Sequence, residues 1–145
     1  MKKLILLRGV SGSGKSSLAE MFRRFGYATH AADDFFTNSD GEYNFDVSLL
    51  SDAHRSCRDN VERSLNNPHI HGVVVHNTST SSFDVQRYQT MAEQNGAQFI
   101  SLIVEDYHNS GDAHSVPTEV LVRQTDSLMK NIQLIHPSRK LDLRG

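Results

Sequence analysis

An α/β fold, one mainly parallel sheet of four or five strands with helices on both faces, is predicted by three observations. Short apolar runs alternate along the chain with segments whose apolar residues recur at helical spacing. Such alternation calls for parallel strands joined by right-handed crossovers. The first run, Leu4-Ile5-Leu6-Leu7, has no polar interruption, the mark of a central strand buried on both faces. The loop behind it, Gly9-Val10-Ser11-Gly12-Ser13-Gly14-Lys15-Ser16, is a glycine-rich turn leading from that strand into a helix.

Each element follows in order. The first strand covers residues 4–7. The next helix runs over 15–25, with apolar residues at 18, 19, 21, 22 and 25, and stops at Gly26. A short second strand spans 27–32 and ends at Asp33-Asp34-Phe35-Phe36. Polar residues 37–42 form a connection that turns at Gly41. Apolar residues at 47, 49, 50, 53, 57, 61 and 65 predict one amphipathic helix over 46–66, stopped by Asn66-Asn67-Pro68. The β-branched run Gly72-Val73-Val74-Val75 is the third strand. A helix over 81–95 is capped by Ser81 or Ser82 and closed by Gly96. Residues 98–104 form the fourth strand, and 107–116 a polar loop. Pro117 takes the first position of a last helix carrying Val120, Leu121, Leu128 and Ile132. The tail over 136–145 is either an extra edge element or a mobile end. With no repeat or linker, residues 1–145 read as a single domain.

Composition narrows the function classes. A formal net charge of −2 provides no global basic field for nucleic acid or an anionic membrane, although it leaves a local basic groove open. The single cysteine, Cys57, forbids an internal disulfide and fits a reducing compartment, so the chain is read as cytoplasmic. No apolar stretch approaches the ~20 residues of a membrane helix, and no membrane partner is expected. Met1-Lys2-Lys3 before an apolar run has the outline of a signal peptide. The run is only four residues long before Arg8, so it is a strand.

The loop names a ligand. G-x-x-x-x-G-K-[ST] between strand and helix is the phosphate-binding pattern. Its glycines let backbone N–H groups curl around a phosphate, and the helix N-terminus adds donors and positive potential. Gly9, Val10, Ser11, Gly12, Ser13, Gly14, Lys15, Ser16 and Ser17 are the candidate ATP-binding residues. Lys15 reaches the terminal phosphates as a catalytic cation, and Ser16 offers its hydroxyl oxygen to Mg²⁺.

Ligands of parallel sheets bind at the carboxyl ends of the strands. Asp33 and Asp34 lie at the end of the second strand and His76-Asn77-Thr78 at the end of the third. Asp33 is the candidate general base for an attacking hydroxyl. Asp34 either holds magnesium through water or caps the next segment. His76 and Asn77 are either substrate contacts or part of a Thr- and Ser-rich turn. No acidic residue closes strand three, which argues against motor-type and switch-type NTPases. His69, His71, His108 and His114 lack a zinc-type Cys/His cluster and read as solvated. His54 reads as a packing residue of its helix, and Cys57 as core rather than nucleophile.

With these residues in view, the chain resembles the small P-loop kinase family of phage-type polynucleotide 5′-hydroxyl kinases and related ATP-binding domains beside nuclease domains in larger eukaryotic proteins. The resemblance rests on Ile5-Leu6-Leu7-Arg8-Gly9 through Lys15-Ser16-Ser17-Leu18-Ala19 and on Asp33-Asp34-Phe35-Phe36. Further matching blocks are Gly41-Glu42-Tyr43-Asn44-Phe45-Asp46, Ala53-His54-Arg55-Ser56-Cys57, Val73 through Thr80, and His114-Ser115-Val116-Pro117. It implies a P-loop fold, ATP and Mg²⁺ as cofactors, Asp33 as general base, and residues 107–116 as a lid. The chain departs from the family at four places. His76 stands where the family has Asp, Ser79 where it has a second Asn, and Phe36 where the polynucleotide kinases have an acceptor-binding arginine. The lid stretch 107–116 contains no Arg or Lys, leaving Arg123 or Lys130 of the last helix as replacement cations.

The expected activity is therefore ATP-dependent transfer of the γ-phosphoryl group to a hydroxyl, with a polynucleotide 5′ end as favoured acceptor. Two alternatives remain: a small-molecule or nucleotide kinase, and an ATP-binding module with little catalysis that works through protein contacts.

Overall fold

The computed structural model describes residues 1–107 and 115–142. Four parallel strands form one sheet in the order β2-β3-β1-β4. They are β1 (Lys3–Arg8), β2 (Tyr27–His30), β3 (Gly72–Val75) and β4 (Gln98–Ile103). Four helices connect or follow them: α1 (Lys15–Arg23), α2 (Leu50–Leu65), α3 (Ser82–Gln94) and α4 (Thr118–Lys130).

Side-chain alternation along β1 divides the core between the two faces. Leu4 and Leu6 pack with Val73 and Val75, which the register sets beside them, and with Cys57, Val61 and Leu65 of α2 and Tyr88 and Ala92 of α3. Ile5 and Leu7 point the other way, to Val74, Ala19 and the partly buried Leu18 and Phe22 of α1. Helices therefore cover both faces, and β1 and β3 are buried on both. Gly72 is required by this register. A Cβ there would lie 2.4 Å from the Tyr27 ring and 2.8 Å from the Lys3 carbonyl oxygen.

Several element ends differ from the sequence reading. Helix α1 stops at Arg23 instead of residue 25, and Phe25 is exposed. The chain turns there on Gly26, at φ +87°. Strand β2 ends at His30, because Ala32–Phe36 form a 3₁₀ segment whose second and third residues are Asp33 and Asp34. Helix α2 begins at Leu50, after a 3₁₀ turn at Val47–Leu49. Val47, Leu49 and Leu50 are exposed, so only the stripe at 53, 57, 61 and 65 carries the packing. Helix α3 takes Ser81 as its N-cap, whose Oγ accepts from the Asp84 N–H. Strand β4 closes at Ile103 and lies at the edge, half-exposed. Pro117 is the N-cap of α4 rather than its first helical residue, and Ile132 lies past the helix end. Residues 136–142 are exposed and add no strand. Most of the expected lid, residues 108–114 with His108 and His114, lies outside the described residues, as does 143–145. Among the described residues no helix is long and apolar enough to cross a membrane.

Candidate active site

The carboxyl ends of β1, β2 and β3 meet at one edge of the sheet, and the loop between β1 and α1 wraps across it. Gly9 is there for space. A Cβ would stand 2.6 Å from both Ser13 Oγ and the Val104 carbonyl oxygen. Gly12 and Gly14 are there for conformation, at φ +83° and +106°. Gly14 is also the N-cap of α1. It brings no side-chain cap, and no acidic residue occupies the first turn. Helix N-termini leave N–H donors that normally find a capping oxygen, and here an incoming anion is the fitting partner. Lys15 is buried, its ammonium donating to the Gly9 and Val10 carbonyl oxygens at 3.0 and 2.8 Å. The Ser13 hydroxyl is buried and, among the described residues, has no hydrogen-bond partner. A triphosphate fits this set: a glycine-rich loop, a helix start without a side-chain cap, and a cation held at the loop.

His76 ties the strand ends together. Its Nδ1 lies 3.4 Å from Ser16 Oγ. Burial pushes its pKa below the ordinary histidine value, Asp34 and Asp33 oppose the shift, and Lys15 adds to it. With the imidazole neutral and its proton on Nε2, Nδ1 would accept a hydrogen bond from the Ser16 hydroxyl and leave that oxygen's lone pairs for a cation. His76 thus lies beside Ser16 and within electrostatic reach of Lys15, Asp33 and Asp34. A magnesium ion with a triphosphate fits here. Ser16 would hold it directly and Asp34 through water, supplying charge neutralisation along the phosphates. Among the described residues no three His, Cys, Asp or Glu side chains group to hold a metal unaided, so the phosphates would be part of its shell.

The two aspartates have separate settings. Asp34 folds back as a cap, its Oδ2 accepting from the Ala31 N–H at 3.0 Å. Asp33 is exposed, and its Oδ1 accepts from the Tyr43 hydroxyl at 3.0 Å. Asn77 turns inward: its Oδ1 accepts from the Ala32 N–H at 2.7 Å, and its amide approaches Cys57 Sγ at 3.7 Å. In this arrangement Asn77 anchors the start of the Asp33–Asp34 segment to the end of β3. Cys57 is core, as expected, with burial pushing its thiol pKa up and the Tyr88 hydroxyl 3.6 Å from its sulfur. His54 differs from its reading as a packing residue. It lines a polar cavity with Arg58, Arg87 and Asp84.

Three contributors were not legible as site residues. Tyr43 holds Asp33, and its only signal was its place in a matching block. Arg8, buried at the end of β1, donates through Nε to the Ser79 carbonyl at 2.8 Å and through a terminal nitrogen to Asn131 at 3.2 Å. Helix α4 meets the site through a polar stripe. Gln124 accepts from the Ser11 N–H at 2.9 Å and donates to Ser11 Oγ at 3.1 Å. Ser127 and Asn131 donate to the Thr80 carbonyl. The helical spacing of these three was the available signal. Arg123 and Lys130 are exposed on one flank of that stripe, about a quarter turn from it.

Comparison with known proteins follows this geometry. A chain of the Pnkp1/Rnl/Hen1 RNA repair complex superposes with a TM-score of 0.68 at 17% identity, over 90% of this chain and 45% of that one. A gluconokinase from Sinorhizobium meliloti superposes with a TM-score of 0.52 at 20% identity, over 87% of this chain and 74% of that one. The chain shares the α/β P-loop fold of these two structures. In sequence, human NEDD4-binding protein 2 is 30% identical over 94 residues, which is 63% of this chain and 5% of that protein. The chain therefore spans a small fraction of that relative and under half of the repair-complex chain. No family model matches it.

Proposed function

We propose that the chain is a kinase that uses ATP and Mg²⁺ to move the γ-phosphoryl group onto a hydroxyl, with a polynucleotide 5′-hydroxyl as favoured acceptor. One observation carries this reading. His76 lies beside Ser16 of the phosphate loop and within electrostatic reach of both Lys15 and Asp33, an exposed carboxylate oriented by Tyr43. Phosphoryl transfer needs little more from a protein than held phosphates, a cation and a group that takes the acceptor's proton. Lys15 and the loop N–H groups hold the triphosphate, and Asp33 receives the hydroxyl proton as the oxygen attacks. The acceptor preference is supported by the likeness to an RNA repair complex chain and by the resemblance read from the motifs. Cytoplasmic operation belongs to the same proposal and draws on the single reduced Cys57.

Isotope transfer from γ-labelled ATP to a 5′-hydroxyl oligonucleotide, a nucleoside and water, run in parallel, tests it. Label on the oligonucleotide is expected. Label on the nucleoside alone would favour a small-molecule kinase, and label on none would sink the kinase reading. The absence of Arg and Lys from 107–116 favours a second reading, an ATP-binding module with little catalysis that acts through protein contacts.

A further inference from the structure

Helix α4 is placed by hydrogen bonds more than by a core. Among its described residues Leu128 alone is buried. Apolar packing is non-directional and tolerates sliding, whereas a hydrogen bond fixes distance and angle. Gln124, Ser127 and Asn131, at helical spacing, make these bonds, and they reach two different loops of the site. Gln124 holds Ser11 of the phosphate loop with both ends of its amide, accepting from the Ser11 N–H at 2.9 Å and donating to Ser11 Oγ at 3.1 Å. Ser127 and Asn131 donate to the Thr80 carbonyl oxygen, in the loop after β3, at 3.1 and 3.2 Å.

The loop after β3 is held in a shape it would not take unaided. Ser79 lies at φ +48°, in the left-handed region that disfavours a side chain. The carbonyls around that kink each have a donor. The Gly9 N–H donates to Thr78 at 3.0 Å, Arg8 Nε to Ser79 at 2.8 Å, and α4 to Thr80. Arg8 also joins this loop to α4, since a terminal nitrogen donates to the Asn131 carbonyl oxygen at 3.2 Å. The loop carries Asn77, whose Oδ1 accepts from the Ala32 N–H at 2.7 Å. Asp33 is the next residue. A continuous run of bonds therefore leads from Ser11, through α4 and the loop after β3, to the backbone that carries the proposed base.

We propose that α4 is the strut that sets the position of Asp33 relative to the phosphate loop, with Gln124 and Ser127 as positioning residues at its two contacts. This rests on the kinase reading and adds residues that act through others: Gln124 through Ser11, and Ser127 through Thr80 and Asn77. Phosphoryl transfer is catalysed largely by positioning, and a displacement of about 1 Å caused far from the chemistry can cost ~10² in rate. Gln124 bonds Ser11, ahead of Lys15 and the start of α1. Its loss should therefore disturb alignment more than binding of the triphosphate.

The test uses the whole chain, well below its melting temperature. It combines γ-label transfer to a 5′-hydroxyl oligonucleotide, calorimetric affinity for a non-hydrolysable ATP analogue, and hydrogen exchange by mass spectrometry. Gln124→Met keeps the side-chain length and removes both bonds to Ser11; Ser127→Ala removes one bond to Thr80. We expect kcat to fall about 10- to 100-fold in Gln124→Met and about 3- to 10-fold in Ser127→Ala, with analogue affinity within about threefold of wild type. Ser127→Thr keeps the hydroxyl and should restore most of the loss, which separates the lost bond from a lost fold. In an Asn77→Ala background the bond to Ala32 is already cut, so Ser127→Ala should lower kcat less than about twofold further. Exchange in 77–81 and 31–34 should quicken together in Ser127→Ala, a readout independent of turnover. Unchanged kcat in Gln124→Met, a loss residing wholly in ATP affinity, or full additivity of Ser127→Ala with Asn77→Ala overturns the proposal. Absence of label transfer in wild type would instead remove the kinase reading. Exchange then decides alone: quickening in both segments supports the strut, and quickening confined to 77–81 overturns it.

Discussion

Asp33→Asn probes the proposed base most directly, and the structure sets its expected size. Asparagine keeps a carbonyl oxygen for the Tyr43 hydroxyl, which reaches Asp33 Oδ1 at 3.0 Å. The side chain is exposed, so thermal stability should change by less than about 1 kcal/mol. Proton acceptance is lost, and general-base assistance is typically worth ~10²–10⁴ in rate. We expect that loss in kcat with ATP affinity nearly unchanged, because the triphosphate is held by the loop. Tyr43→Phe isolates the supporting bond. It preserves ring packing against Phe36, at 6.3 Å between centroids, and removes only the hydroxyl. One hydrogen bond to a charged group is worth about 1.5–3 kcal/mol at most, so kcat should fall about 10- to 100-fold. The double variant decides whether Tyr43 works through Asp33. In the Asp33→Asn background the Tyr43→Phe change should add almost nothing. Quenched-flow measurement of γ-label transfer, with ATP affinity by calorimetry, supplies both readouts. Full additivity of the two losses would refute the positioning role. Undiminished transfer in Asp33→Asn would reassign the base.

Further outcomes are expected. Lys15→Ala should lower ATP affinity at least about tenfold, as loss of a charge-assisted contact implies; equal calorimetric affinity would reject its assignment. Gly9→Ala should destabilise the fold by about 1–3 kcal/mol through overpacking, since its Cβ would meet Ser13 Oγ and the Val104 carbonyl at 2.6 Å; an unchanged denaturant midpoint would contradict that packing. Arg123→Ala and Lys130→Ala, assayed singly, should show whether α4 supplies a transition-state cation; fast turnover in both would end that idea. Burial pushes the pKa values of His30 and His54 below the ordinary histidine value of 6.5. The unfolded chain then binds more protons just below that pH. Their contribution to stability is complete above about 6.5 and is lost as pH falls toward the depressed folded values. Melting temperature should therefore drop between pH 7 and 5, and less so in His54→Gln; an identical drop in that variant would exclude His54 from the effect.

What the sequence by itself determined about this protein are the features that depend on near neighbours in the chain. The phosphate loop is legible because its requirements are local: glycines at positive φ, a lysine one residue into the helix, and a strand just before. The central strands are legible because Leu4 to Leu7 and Val73 to Val75 have no polar interruption, and burial on both faces demands that. Element ends were less secure. The apolar residues at 47, 49 and 50 continue the helical period, yet they are exposed because no face among the described residues covers them. The partners of the functional groups were decided by tertiary structure alone. Asn77 bonds Ala32 across 45 positions, Gln124 bonds Ser11 across 113, and Arg8 bonds Asn131 across 123. Arg58 and Arg87 sit on separate helices, each ordinary as a solvated residue. Only the packing of α2 and α3 over β3 turns them toward one cavity, because adjacency across a sheet follows from strand order, and strand order leaves no mark in the local sequence.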